Sequence, residues 1–166
     1  LRPQITQMQA GQILREEYQK ELASFNAIAE ERYREIPNFA FTPTSLLESI
    51  RAIKSDWSVK IQGPAEAGLK KLEAVMGDPD NPVTTFKELH AARTAIRHLR
   101  NNAIGAHDFT SAYQLGQLNN AVADTLDALK TSHRSGDAAV RKLAEVDEWY
   151  SKNVARLKSG EINALR

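Results

Sequence analysis

Thr84 to Ala103 reads TTFKELHAARTAIRHLRNNA, and its spacing decides the fold. Leu89, Ala92, Ile96, Leu99 and Ala103 recur at steps of three and four, the period of one helix face. His90, Arg93, Arg97 and Arg100 make a basic stripe beside that apolar one. Phe86 stands near the seam, at the start. The apolar stripe asks for neighbouring helices to cover it. The basic stripe is where a function would be read.

Upstream, one helical pattern runs from about Gln4 to Ile36, with Leu14, Tyr18, Leu22, Phe25, Ala29, Tyr33 and Ile36 as its stripe. Pro37 closes it, because a proline disfavours helix in the residue before it. Phe39 and Phe41 in the following connector are expected to plug one end of a core. A second helix is expected from near Pro43, capped by Thr42, with Leu46, Ile50, Ile53, Trp57 and Ile61 on one face. Gly63-Pro64 breaks it, and a short third helix carries Leu69, Leu72, Val75 and Met76 to a stop at Gly77. Thr84 or Thr85 caps the quoted helix, and Glu88 supports its first turn.

Downstream, a turn at Ile104 to Asp108 leads into a fifth helix, about Phe109 to Ser132. Leu115, Leu118, Val122, Leu126 and Leu129 face one way; Tyr113, Asp124 and Asp127 face the other. A sixth helix, capped by Asp137, carries Val140, Leu143, Val146, Tyr150, Val154 and Leu157 and is expected to end at Ser159-Gly160. No alternating strand pattern appears. The reading is all-α, an antiparallel bundle of about six helices with a long N-terminal helix. The loop Asp78 to Pro82, DPDNP, suggests a boundary between residues 1–80 and a three-helix bundle at 81–166. It equally suits a tight connection inside one domain. PTSLLESIRAIKS from Pro43 and PVTTFKELHAART from Pro82 echo each other, as helix-start grammar alone also produces.

Composition excludes several classes. The 166 residues suffice for a real core, and a net charge of +1 leaves any attraction to polyanions to a local patch. No cysteine is present, so disulfides and thiol chemistry are out. No apolar run approaches the roughly 18 residues of a membrane span. The chain starts at Leu1 rather than Met and ends on what looks like helix, as a piece of a longer protein would.

The basic stripe carries two readings. His90, Arg93, Arg97 and Arg100 offer donors about a turn apart to phosphates of a nucleic acid. Alternatively, Arg93 and Arg100 lie along neighbouring helices and pair with Asp147, a carboxylate inside an otherwise apolar stripe. The histidines His90, His98, His107 and His133 form no HxxxH or HExxH pair, so no metal site is expected. No nucleophile motif, phosphate loop or dinucleotide fingerprint occurs, so no catalytic residue, cofactor or small-molecule substrate is assigned. Asp124 and Asp127 read as a solvated face. Trp57 reads as core. Trp149, at the margin of its stripe, either covers the bundle edge or meets a partner.

The second half of the chain resembles helical segments of large virion-associated proteins of tailed bacteriophages. These include internal virion, or DNA-ejection, proteins and the long virion RNA polymerases of some short-tailed phages. The residues that carry the likeness are Leu89, Arg93 and Ile96; Leu118, Val122, Leu126 and Asp127; and Gly136, Asp137, Tyr150, Val154 and Gly160. It covers about Pro82 to Leu165 and brings no polymerase or transglycosylase active site with it. The resemblance implies a non-catalytic structural module, located in the virion and assembled with other segments or copies of virion proteins.

Overall fold

A computed structural model describes residues 6–57 and 63–165, the last six of these as backbone only. The helices are α1 (Gln7–Arg34), α2 (Thr44–Asp56), α3 (Gly63–Met76), α4 (Phe86–Gly105), α5 (Phe109–Ser132) and α6 (Gly136–Leu165). Two short strands, β1 (Ala40–Phe41) and β2 (Thr84–Thr85), pair antiparallel, Ala40 opposite Thr85 and Phe41 opposite Thr84. The all-α reading holds. The strand pair escapes a sequence reading because two residues leave no alternation to detect.

That strand pair finishes the N-terminus of α4. A helix start leaves four N–H groups without intrahelical partners. Here Phe86 N–H donates to the Phe39 carbonyl (3.0 Å), Lys87 N–H to Asn38 Oδ1 (3.0 Å) and Glu88 N–H to Thr85 Oγ1 (3.2 Å). The aromatic connector does pack as a plug. Phe39 stacks on Phe86 (5.5 Å) and on the His133 ring (4.0 Å), with Phe41 at 6.1 Å.

Both ends of α2 and both ends of α6 differ from expectation. Pro43, not Thr42, occupies the N-cap of α2 and no side chain caps it. α2 stops at Asp56 because Trp57 turns extended (ψ 110°), and its indole N–H donates to Gln117 Oε1 instead of continuing the stripe. Ile61 lies outside the described residues. α6 begins at Gly136, so Asp137 lies in its first turn rather than at its cap, and it runs through Ser159-Gly160 to Leu165. A single glycine costs a helix only about 1 kcal/mol relative to alanine, which its neighbours can outweigh.

The chain divides into two compact units, and not at residue 80. One joins the segment up to Pro37 with the segment from Arg141; the other is Asn38–Val140. In the second unit α4 and α5 form an antiparallel hairpin, α3 packs on both, and α2 packs on α5. The third helix therefore belongs with α4 and α5, while most of α6 does not. α5 is the central element. It buries Leu115, Leu118, Val122, Leu126 and Leu129, and also Ala112, Gln114, Ala121 and Thr125 on its flanks. Gly68 of α3 lets this happen: a Cβ there would stand 2.7 Å from Leu115 Cδ2.

In the first unit α1 pairs with α6. Lys142 bridges Glu35 (3.5 Å), Tyr33 bonds Asp147 (2.9 Å), and Phe25 stacks with Trp149 and Tyr150 (5.3 Å each). Falling numbers on α1 meet rising numbers on α6, so the pair is antiparallel. The α1 stripe steps 4-4-3 and repeats every eleven residues, Leu14 to Phe25 to Ile36. The α6 stripe does the same from Leu143 to Val154 and from Val146 to Leu157. Eleven residues in three turns lies close to the natural 3.6 per turn, so the two stripes stay in line with little supercoil.

Candidate functional site

The basic stripe separates along its length. His90 and Arg93 are half-buried, whereas Arg97 and Arg100 are exposed. Arg100 does not pair with Asp147. It has no ion pair among the described residues, and its guanidinium lies over Gly116 of α5, with Nε 3.5 Å from where a Cβ would stand. Asp147 belongs to the other unit, as does its partner Tyr33, whose hydroxyl donates to it at 2.9 Å. A carboxylate on an apolar stripe needs a donor, and a phenol one turn from Ala29 and two from Phe25 supplies it.

Gly116 marks a face of α5 that sequence reasoning left unused. Phe109, Tyr113, Gly116 and Asn120 recur at steps of three and four and so share one side of the helix. Phe109 is 64% exposed and Tyr113 68%. On α4, Arg97, Arg100 and Ile104 form the row beside them. Charge is one-sided here. From Leu89 to His107 the chain has three arginines, three histidines and no carboxylate, and from Phe109 to Ala123 it has no charged residue at all. Asp108, between these segments, is occupied as the N-cap of α5. Its Oδ1 accepts from Ser111 N–H (3.2 Å), and the bonds to Ser111 hold its carboxyl below the usual range. The missing charge on both sides of the turn was legible in the sequence; the meeting of Arg100 and Gly116 was not.

The turn between the two helices is tight. His107 N–H donates to the Ile104 carbonyl (3.1 Å) and Asp108 N–H to that of Ala103 (2.8 Å), the two bonds of a Schellman stop. Its left-handed position, usually glycine, is taken by His107 at φ 58°. The imidazole meets the exposed Phe109 ring edge-on at 5.9 Å.

The remaining sequence candidates fall elsewhere. Trp149 is engaged within its own unit, stacked on Phe25 (5.3 Å) with the Arg32 guanidinium 4.5 Å over its ring, rather than held out for a partner. His98 and His107 are exposed, and His133 is used in the Phe39 stack while its Nδ1 accepts from Ser135 N–H (3.1 Å). Asp127 pairs with Lys130 (3.0 Å) on the solvated side. Among the described residues no three His, Asp or Glu side chains gather as a metal site would need.

The Tyr33–Asp147 bond has a pH signature. Burial, then the Asp147 hydrogen bond and charge, hold the Tyr33 phenol well above its ordinary value. An unfolded tyrosine ionises near pH 10, about where this stabilisation begins to fade. It is fully present below that pH and is lost as pH rises towards the folded value. Tyr33→Phe should cost about 1 kcal/mol at neutral pH and should flatten the alkaline fall in stability. Thermal melts followed by circular dichroism across neutral to alkaline pH read both effects.

No protein-family model, no curated relative and no solved structure matches the chain. Among the described residues no helix is long and apolar enough to cross a membrane.

Proposed function

We propose that the chain is a non-catalytic helical assembly module of a larger protein, with the tailed-phage virion as its setting. The setting rests on the resemblance of the α4 to α6 sequence. The assembly role rests on one observation in the structure: the N-terminal half of α1 carries apolar side chains without cover. Leu14, on the stripe, is 45% exposed, and Met8 and Ile13 are exposed on other sides of the helix, while α1 buries only Phe25 and Ala29. Leu14 continues the eleven-residue stripe, so the stripe extends beyond the part that is buried. An apolar stripe that runs on past its cover can dock another helix, and a second copy of this chain supplies one of identical periodicity.

Light scattering coupled to size exclusion tests this. The chain should self-associate at concentrations up to roughly 100 μM, and Ile13→Glu with Leu14→Glu should return it to a monomer with its helicity intact. A wild-type chain that stays monomeric throughout, or an oligomer indifferent to the two substitutions, would overturn the assembly role.

A further inference from the structure

The geometry points to a second, separate function: the exposed α4–α5 face binds single-stranded nucleic acid, with Arg97 and Arg100 on phosphates and Tyr113 and Phe109 stacked against bases. Three observations converge on it. The first is charge. Arg97 and Arg100 have no ion pair among the described residues and lie in a stretch free of carboxylates from Leu89 to His107. Cations that are not spent on the protein are open to a polyanion. The two are three residues apart on one helix, a rise of about 4.5 Å.

The second is the pair of aromatics. Phe109 and Tyr113 are among the most exposed large side chains of their unit, four residues apart on one face, a rise of about 6 Å. Such side chains on a helix otherwise uncharged from Phe109 to Ala123 are stacking platforms, which any base can use because every base has a π-face. The third is Gly116. It leaves open floor between the two rows, and Arg100 reaches across it, so cations and aromatics share one surface rather than two.

A duplex is the weaker fit. Its bases are already stacked and paired, so Tyr113 and Phe109 would find nothing to stack on. Two arginines on a chain of net charge +1 also provide too little attraction for duplex binding by phosphates alone. A strand with its bases unstacked uses both halves of the surface.

Fluorescence anisotropy with a labelled oligothymidylate of about 12 nucleotides, against a duplex of equal length, tests this. The expected result is preference for the single strand at low salt. Tyr113→Ala should weaken binding about tenfold. Arg97→Gln with Arg100→Gln should reduce the slope of log affinity against log salt by about 1.4, the share of two single-strand phosphate contacts. Gly116→Glu, which places a carboxylate under Arg100 where only that flexible side chain need move, should abolish binding with helicity unchanged. Arg134→Gln, an exposed cation on the α5–α6 turn, should leave binding unchanged. No anisotropy change with the oligothymidylate at low salt would overturn the proposal. So would equal binding of duplex with no effect of Tyr113→Ala, which is non-specific attraction. Loss of self-association in place of strand binding on Tyr113→Ala would make the face a protein contact instead and equally overturn it.

Discussion

Gly136→Ala is expected to destabilise the protein by roughly 3 kcal/mol, more than a single added methyl group ordinarily costs. A Cβ at this position would run into the carbonyl oxygen and carbon of Leu129. Both are main-chain atoms, so no rotamer relieves the clash. Relief requires moving the last turn of α5 or the first of α6. The Leu129 carbonyl accepts from His133 N–H (3.2 Å) and the His133 carbonyl from Gly136 N–H (2.9 Å), so either movement breaks the turn's own bonds. It also disturbs the His133 ring that backs Phe39. Urea denaturation should show a lower midpoint with little change in slope. Gly105→Ala supplies the contrast: a Cβ there meets nothing within 4 Å, and alanine in the helix should stabilise by up to about 1 kcal/mol. Equal midpoints for the two variants would mean that the α5–α6 corner is not as close as described.

Phe86→Ala is expected to cost about 4 kcal/mol, in the range for removing a buried aromatic side chain. Phe86 is only 1% exposed and is the first residue of α4, stacked on Phe39 at 5.5 Å. Truncation leaves a cavity and also removes one side of the Phe39 sandwich. Phe39 in turn presents its carbonyl to Phe86 N–H, so the strand pair that finishes the helix start loosens with it. Phe109→Ala is the matched comparison. It is likewise the first residue of a helix, but exposed, and its loss should change stability by no more than about 0.5 kcal/mol. The same denaturation curves measure both.

The helices were legible because their stripes are. Leu89, Ala92 and Ile96 on α4 and Leu115, Leu118 and Val122 on α5 fall where their spacing puts them. The division into units was not legible. It crosses α6 between Val140 and Arg141, with no glycine, proline or loop to mark it. Nor could periodicity rank the helices. α5 looked like α4 until Gln114, Ala121 and Thr125 proved buried on its flanks, because small and polar residues do not announce burial. At the candidate site the arginines could be read from sequence and placed on a stripe. Their fate could not, since whether Arg100 meets Asp147 or Gly116 depends on which helix lies beside α4. Tyr113 was correctly read as outward-facing but not linked to the arginines, for the same reason.

Phe25 and Trp149 meet across more than a hundred residues of intervening sequence. A ribosome adds roughly 5–20 residues per second, so α1 is made on the order of ten seconds before the helix it pairs with. Throughout that delay its stripe is bare, and the Asn38–Val140 unit has time to fold between the two halves. Among residues 1–166 the pair is therefore the last part to form during synthesis. In that interval α1 is open to capture by any neighbouring helix of matching period, including the α6 of another copy.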